Sequence, residues 1–234
     1  MSLMSYIIYI VIIMAIPMWA QHNVKSNYEK YSQVRSTSGK TGREVAEEIL
    51  HANGIYDVEV VRGEGFLTDH YDPKKKVVCL SPANFDRPSV AGTAIAAHEV
   101  GHAIQHAQGY AFLRFRTALV PFANIGSSLS YMLVLLGIVL TTLGSAFGST
   151  ALWVGAGLMS LAVLFSIVTL PVEFDASSRA MKQIQSLNIV NEKEYKHAKK
   201  VLSAAAMTYV AATATAVAEL VRLILIARSD RKST

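Results

Sequence analysis

Five consecutive residues near the middle of the chain, His98-Glu99-Val100-Gly101-His102, form an H-E-x-x-H motif. On a helix, residues four positions apart lie on one face, so both imidazoles could bind one zinc ion at about 2.0–2.1 Å. Glu99 would lie beside the open coordination position, where a carboxylate can act as general base on an activated water. The motif therefore predicts a hydrolytic site in which His98 and His102 bind Zn2+ and Glu99 is the catalytic residue.

A catalytic zinc site needs a third protein ligand. Glu173 is the preferred candidate, because it follows a predicted hairpin of two membrane spans and so returns to the side of the histidines. His106 lies four residues beyond His102, but an ion held by three successive turns of one straight helix would be strained. A structural role for the motif, with its histidines hydrogen-bonded in a helix and no metal, stays open. The remaining alternatives for the third ligand are His70, His197 and Asp175.

The residues around the motif predict the helix that must carry it. The chain turns helical from Pro88, is apolar through Ala94-Ile95-Ala96-Ala97, and reaches a stop signal at Gly109. An earlier helix is predicted to begin at the capping box Thr41-Gly42-Arg43-Glu44. The motif is therefore expected near the end of a helix that finishes at Ala107.

Between these two helices the pattern predicts a small sheet of two or three strands. Residues 58–61 and 76–80 are the clearest strand segments, Phe66-Leu67 lies between them, and Tyr71-Asp72-Pro73 predicts a turn. An extended substrate is expected to bind by adding a strand to the edge near Val77–Leu80, because pairing through the backbone tolerates many sequences.

Two uncharged stretches predict membrane spans. Residues 1–24 contain no Asp, Glu, Lys or Arg, which indicates a first span. No charged residue occurs between Arg116 and Glu173, and on a helix that stretch covers two membrane thicknesses. The predicted hairpin has its two spans near 119–143 and 150–171 and its turn near 144–149. The second span is closed by Pro171.

A third uncharged stretch, 201–218, is rich in Ala and Thr and is followed by Glu219 and Arg222. It is either a fourth span or a helix packed against the others. If it crosses, the basic C-terminal residues lie outside the cell, which conflicts with the excess of positive charge usually found inside. These residues are Arg228, Arg231 and Lys232.

Basic residues flank the first two stretches and predict the orientation of the chain. The first span is followed by Lys25, Lys30 and Arg35, and the hairpin is preceded by Arg114 and Arg116. The turn of the hairpin carries no charge. The polar residues 21–117 are therefore expected in the cytoplasm. The hairpin crosses twice, so residues 172–200 return to the same side and the active site is expected to face the cytoplasm.

The composition favours an integral membrane protein. Of the 234 residues, 52% are hydrophobic and 17% are charged, against about 25% charged residues in soluble proteins. The net charge is +5, but the 22 Lys and Arg are spread around the apolar stretches, so no nucleic-acid partner is expected. The single cysteine, Cys79, excludes an internal disulfide and a Cys-rich zinc ribbon. Histidines and carboxylates must therefore hold any metal.

Residues 98–106 are followed, after the uncharged hairpin, by Glu173-Phe174-Asp175-Ala176-Ser177-Ser178-Arg179-Ala180. This combination resembles the YugP-type neutral zinc metallopeptidases, small bacterial membrane proteins, over nearly the whole chain. More distantly it resembles the HtpX and CAAX-prenyl protease group, in which a membrane hairpin separates H-E-x-x-H from a glutamate ligand. The resemblance implies zinc bound by His98, His102 and Glu173, with Glu99 as the base.

One position departs from the wider group, which tends to place an aspartate four residues after the third-ligand glutamate, where it can orient a histidine. That position is Ser177 here, and Asp175 lies only two residues after Glu173. Asp175 is also spaced to pair with Arg179 on a helix. The partners that orient the histidines therefore stay open, as does the residue that stabilises the oxyanion, for which Tyr209 and Arg179 are candidates.

Together these patterns predict a mainly α membrane protein of α+β type, with three to four transmembrane helices and a small zincin-like cytoplasmic domain. The expected function is a zinc metallopeptidase of the bacterial plasma membrane, embedded in the lipid bilayer and acting on protein or peptide substrates. The alternatives are a non-catalytic scaffold or chaperone-like protein with a structural metal, and a small transporter. The expected segments are an anchor (1–24), the motif domain (25–117), the hairpin (118–171), a third-ligand helix (172–200) and an apolar C-terminal helix with a basic tail (201–234).

Overall fold

The computed structural model describes residues 3–230. These residues form one small sheet and a set of helices, four of which are long. The elements are α1 (Leu3–Ser32), α2 (Gly42–Ala52), β1 (Glu59–Arg62), β2 (His70–Asp72), β3 (Val77–Leu80), α3 (Pro82–Asp86), α4 (Val90–Ala107), α5 (Ala111–Thr142), α6 (Phe147–Ser186) and α7 (Glu192–Asp230). The chain is therefore mainly helical with a minor β component, which confirms the predicted fold class.

Four helices within residues 3–230 are long and apolar enough to cross a membrane, judged by length and composition. They lie in α1, α5, α6 and α7 and comprise 29, 32, 40 and 38 residues. Three to four spans were predicted, and α7 is the helix for which the sequence left two alternatives. Because α7 begins at Glu192, the predicted segment limit at residue 200 falls inside one continuous helix.

Pro171 does not end the second helix of the hairpin. The helix α6 continues through it to Ser186, so this helix is longer than the span predicted over 150–171. Proline is tolerated inside apolar helices when neighbouring groups satisfy the carbonyl that it leaves free. As a result, Glu173 lies on the same continuous helix as the uncharged residues that precede it.

The contacts divide the chain into two compact units. Within the described residues, the helical unit contains residues 3–17, 115–170 and 209–230. The mixed unit contains Met18–Arg114 and Pro171–Thr208, and so includes the sheet and α2 to α4.

Within the helical unit, α5 and α6 pack closely because small residues face each other. A Cβ on Gly148 would lie 2.5 Å from the backbone nitrogen of Thr141, so only glycine fits there. The Ser130 hydroxyl donates to the Gly155 carbonyl at 2.8 Å. Small residues and hydroxyls of this kind are the usual means by which apolar helices associate in a membrane.

The helical unit also contains a polar cluster that links α1 to α7. Tyr9 donates its hydroxyl hydrogen to Glu219 Oε1 at 2.8 Å, and Arg222 lies 3.4 Å from Glu219 Oε2. The Arg222 guanidinium also lies over the rings of Tyr6 and Tyr9. The two charged residues that interrupt the apolar pattern of α7 therefore compensate each other, as charges in an apolar environment must.

In the mixed unit the sheet has the order β1-β3-β2, with β1 parallel to β3 and β2 antiparallel to it. The expected turn at Tyr71-Asp72-Pro73 is partly wrong, because Tyr71 and Asp72 belong to β2. Phe66-Leu67 lies outside the strands, and Leu67 has a φ of 54° that a strand cannot contain. Both edges of β3 are paired, so substrate cannot add a strand at Val77–Leu80 as expected.

The two helices predicted in this unit are present, and α4 begins at Val90 rather than at the expected Pro88. The Thr41 and Glu44 side chains each bind the other residue's backbone N–H, which completes the predicted capping box of α2. The helix α4 ends at Ala107, and Gly109 follows with a φ of 64°. The helix α4 packs against α2 and contacts β2 and β3, and this packing fixes the helix that carries the motif.

Candidate metal centre

The helix α4 holds His98, Glu99 and His102 in a largely buried position. Its N-terminus is capped by Ser89, whose hydroxyl accepts a hydrogen bond from the Gly92 N–H. Glu99 and His102 are buried, and His98 is partly buried. The predicted helix is therefore confirmed, and the rings of His98 and His102 lie edge to face on it with a centroid separation of 4.8 Å.

Glu173 of α6 meets both histidines. Its Oε2 lies 3.2 Å from His98 Nε2 and 3.5 Å from His102 Nε2. Two ligands at about 2.05 Å from a tetrahedral zinc ion are separated by about 3.3 Å, so these spacings suit one ion bound by all three atoms. Among residues 3–230, these three side chains form the group of possible metal ligands whose atoms all lie within 4.8 Å of one another.

Gly101 explains how α6 comes close enough for this contact. A Cβ at this position would lie 2.5 Å from the carbonyl oxygen of Ala176, so any larger residue would collide with the backbone of α6. Ala176 follows Glu173 by about one helical turn. The variable position inside the motif is therefore the point at which the two helices touch, a role that the motif alone does not indicate.

Gln105 orients His102. Its Nε2 donates to the Val172 carbonyl at 2.8 Å and to Asp175 Oδ2 at 2.7 Å. The Val172 carbonyl can only accept a hydrogen bond, and so can the Asp175 carboxylate, which is paired with Arg179. These two partners therefore fix which end of the Gln105 amide is nitrogen. The Gln105 Oε1 then lies 3.0 Å from His102 Nδ1 and can only accept. His102 must therefore carry its hydrogen on Nδ1, which leaves the lone pair of Nε2 free for a metal.

Ser177 is the corresponding partner of His98. Its Oγ lies 3.1 Å from His98 Nδ1, and it occupies the position where the wider group tends to carry aspartate. A hydroxyl can accept from an imidazole N–H, although it is a weaker acceptor than a carboxylate. The question left open by the sequence is thus answered for both histidines by neutral side chains.

Asp175 forms the predicted ion pair with Arg179, with Oδ2 2.5 Å from Nε. Arg179 also donates to Gln108 Oε1 at 2.6 Å, and its guanidinium lies over the ring of Tyr110. These contacts connect the end of α4 to α6 within the mixed unit. Asp175 is therefore a support for Gln105 rather than a member of the ligand group.

The two buried glutamates of the site titrate in opposite directions. Burial raises the pKa of the Glu99 carboxyl above its usual range, although the nearby His98 and His102 partly oppose the shift. Burial acts in the same direction on Glu173, but hydrogen bonds with His102 and His98 outweigh it and hold the pKa of Glu173 well below its usual value. Glu173 is thus suited to bind a metal as an ionised carboxylate, and Glu99 is suited to accept and release a proton.

Asp69 is a further carboxylate in the surroundings of Glu99, whose pKa it helps to raise. It accepts hydrogen bonds from the Ser81 backbone N–H at 2.7 Å and from Asn84 Nδ2 at 3.0 Å. Asn84 in turn accepts from the Tyr28 hydroxyl at 3.0 Å. The sequence gives no signal for this residue, because its partners lie on segments that only the fold brings together.

The alternative ligands do not join the ligand group. The exposed His106 contacts the Tyr71 hydroxyl through Nδ1 at 2.8 Å, which agrees with the expected role outside the metal site. His70 Nδ1 lies 2.8 Å from the Thr68 carbonyl. His197 stacks on Tyr31 at a ring separation of 4.7 Å.

Nearly the whole chain matches known proteins in sequence. Residues 6–228 match a protein family described as "Putative neutral zinc metallopeptidase". The chain belongs to this zinc metallopeptidase family. A relative in Bacillus subtilis (strain 168), the "Putative membrane protease YugP", is 43% identical over 228 residues, which cover 97% of this chain and 99% of the relative. No solved structure matches the chain.

Membership of the zinc metallopeptidase family implies a zinc ion, and the residues of the site fit one. Two imidazoles and a carboxylate form the donor set of one common class of catalytic zinc site, which leaves a position for water. The separations of 3.2 and 3.5 Å and the two oriented imidazoles satisfy the geometric requirements as well. In this family member, orientation of the histidines depends on Gln105 and Ser177, the two positions that sequence reasoning did not assign.

Proposed function

We propose that the protein is a membrane-bound zinc peptidase that hydrolyses peptide bonds. His98, His102 and Glu173 are the ligands, and Glu99 is the general base. The observation that carries the proposal is the convergence of both Nε2 atoms on Glu173 Oε2 at 3.2 and 3.5 Å. Bound zinc supplies a Lewis acid that activates water and polarises the scissile carbonyl.

Glu99 is the residue that moves the proton. Its burial favours the neutral acid, so the carboxylate gains from accepting a proton from the attacking water. The same carboxyl can then return that proton to the leaving amine. Because Glu99 directly follows His98 on α4, its carboxyl lies beside the ligand group during both proton transfers.

An extended peptide substrate is expected at β2. The central strand β3 is paired on both sides, so backbone pairing is restricted to the outer strands β1 and β2. Of these two, β2 contacts α4, the helix that carries the motif. Addition of a substrate strand to β2 would therefore place a peptide bond near the ligand group.

The proposed location is the bacterial plasma membrane with the active site on the cytoplasmic side. The four apolar helices and the membrane protease relative support the membrane, and the basic residues that flank the first span and the hairpin support the orientation. A Lys74→Cys variant in a Cys79→Ser background tests it. A membrane-impermeant maleimide should label this protein only after the cells are opened, and labelling of intact cells would reverse the orientation.

Metal content and casein cleavage, measured on the same detergent-purified samples, test the proposed reaction. We expect about one zinc per wild-type chain, loss of zinc and of cleavage in Glu173→Ala, and retention of both in Glu64→Ala, which removes an exposed carboxylate elsewhere in the mixed unit. Zinc retained by Glu173→Ala would assign the third ligand elsewhere.

A scaffold with a structural metal is the alternative, and Glu99 separates the two functions. Glu99→Gln keeps the size of the side chain but removes its ability to accept a proton. A peptidase should keep its zinc in this variant and lose turnover by at least about 100-fold. A wild-type protein that binds zinc but cleaves no peptide under any condition would favour the scaffold.

A further inference from the structure

A groove of about 650 Å³ runs between α1 and α7 on the mixed unit, and none of the metal ligands lines it. Asn23 and Asn27 line it on α1. On α7 it is lined by four lysines within eight residues, namely Lys193, Lys196, Lys199 and Lys200. Volumes of about 300–1,000 Å³ are typical of sites that bind small molecules.

The positive charge of this α1–α7 groove is not compensated within its lining. No Asp or Glu lines it, and none of the four lysines forms an ion pair within residues 3–230. Of the two acidic residues in the first turn of α7, Glu192 is exposed, and Glu194 is buried and binds the Thr37 N–H at 2.6 Å and hydroxyl at 2.8 Å. The groove therefore presents a concentrated positive charge to any anion that enters it.

His197 adds a polar group to the same groove. Its Nδ1 is buried and makes no hydrogen bond within the described part of the chain. Burial, followed by the charges of Lys193 and Lys200, lowers the pKa of this imidazole below its usual value. The ring is thus a neutral polar group among the lysines that line the groove.

The groove lies where both helices change from charged to uncharged sequence. On α1, residues 1–24 are uncharged and Lys25 follows; on α7, the lysines precede the uncharged residues 201–218. Beyond the lysines the lining becomes apolar at Ala204 and Met207. Charge next to apolar surface at the end of two candidate spans is the pattern expected at the boundary between membrane and water.

We propose that the α1–α7 groove binds one anionic phospholipid, with its phosphate on the four lysines and the start of an acyl chain along Ala204 and Met207. The lysines match the charge of the phosphate, and the apolar end of the groove suits the chain. Both features are needed, so a free phosphate would use only half of the site. The assignment is independent of the proposed peptidase reaction, because it involves none of the metal ligands.

Native mass spectrometry of the intact, zinc-loaded protein in detergent tests this site. Phosphatidylglycerol is titrated against wild type, Lys196→Gln/Lys200→Gln and the control Lys74→Gln/Lys75→Gln, which removes two exposed lysines from the β2–β3 turn. Each lysine near an anionic headgroup is worth about 1 kcal/mol. The groove variant should therefore bind about 30-fold more weakly, and the control should bind like wild type.

Three outcomes would overturn the proposal. Equal affinity of the two double variants would mean that the groove lysines do not select the lipid. Equal binding of phosphatidylcholine would mean that the negative headgroup is not recognised. Full displacement of phosphatidylglycerol by glycerol phosphate at the same concentration would identify a site for a soluble phosphate instead. A circular dichroism melt of each variant, with its midpoint within a few degrees of wild type, establishes that the comparison is between folded proteins.

Discussion

Gln105 Oε1 lies 3.0 Å from His102 Nδ1, and the other end of the same amide is held by Val172 and Asp175 of α6. One fully buried side chain therefore joins the motif helix to the helix of the third ligand and also fixes the tautomer of a ligand. Metal sites commonly orient their histidines with a carboxylate or a backbone carbonyl. Here an amide does so, and its own orientation depends on Asp175, which is paired with Arg179.

Replacement of Gln105 by leucine should weaken zinc binding about 10- to 100-fold, the usual effect of losing a partner of a metal-bound histidine. The His102 N–H would be left buried without an acceptor, which also costs about 1–3 kcal/mol of stability. Zinc affinity is measured by competition with a chromophoric chelator. Gln185→Leu, the same substitution at an exposed position of α6, should leave the affinity unchanged, and an unchanged affinity in Gln105→Leu would remove this role.

The closeness of α4 and α6 predicts the effect of a single methyl group. Gly101→Ala places a Cβ 2.5 Å from the Ala176 carbonyl oxygen, so α6 must shift and carry Glu173 with it. We expect a loss of about 1–3 kcal/mol in the free energy of unfolding, as for other overpacked sites, together with weaker zinc binding. Both are measured on purified protein, by thermal unfolding and by chelator competition.

Gly157→Ala is the matched control, because this residue is also helical and a Cβ there meets nothing within 4 Å. Alanine in a helix is favoured over glycine by about 1 kcal/mol, so this variant should be as stable as wild type or more stable. If the two variants had the same stability and the same zinc affinity, the close contact between α6 and Gly101 would not be needed to position Glu173.

Much of this site could be predicted from the sequence, and the physical reasons are local. The H-E-x-x-H spacing depends only on helical geometry, and the C-terminal end of α4 follows from Gly109. Glu173 could be placed because a hairpin that crosses twice must return to the side where it began. Each of these inferences uses a rule that acts over a few residues or over a simple count of spans.

The rest depends on contacts between distant segments. Gln105 stands one turn after His102, but its role appears only when α6, 67 residues further on, supplies two acceptors. The strand β2 has three residues and an Asp-Pro sequence typical of a turn, so it is recognised only by its pairing with β3. The continuation of α6 through Pro171 contradicts a rule derived from soluble helices, because in an apolar environment the helix is the only way to satisfy the backbone.

The polar cluster between α1 and α7 predicts a compensating pair of substitutions. Glu219→Leu removes the partner of Arg222 and of the Tyr9 hydroxyl, which leaves a guanidinium in an apolar stretch. The midpoint of thermal unfolding in detergent should therefore fall. The double variant Glu219→Leu/Arg222→Leu removes both charges and should recover most of the lost stability, because replacing a whole ion pair costs less than breaking it. A double variant less stable than Glu219→Leu would mean that the pair is not coupled.

Removal of zinc should destabilise the wild-type protein, and this effect should require the ligand group of His98, His102 and Glu173. A metal that binds only the folded state adds about 2.7 kcal/mol at one hundred times its Kd, which for a chain of this size corresponds to a Tm shift of roughly 5–11 °C. Glu173→Ala should melt at the same temperature with and without zinc, because the remaining His98 and His102 provide too few ligands. Scanning calorimetry of both proteins, zinc-loaded and treated with chelator, measures the difference. An equal shift in the two proteins would place the stabilising metal outside the group of His98, His102 and Glu173, since only that group has been altered.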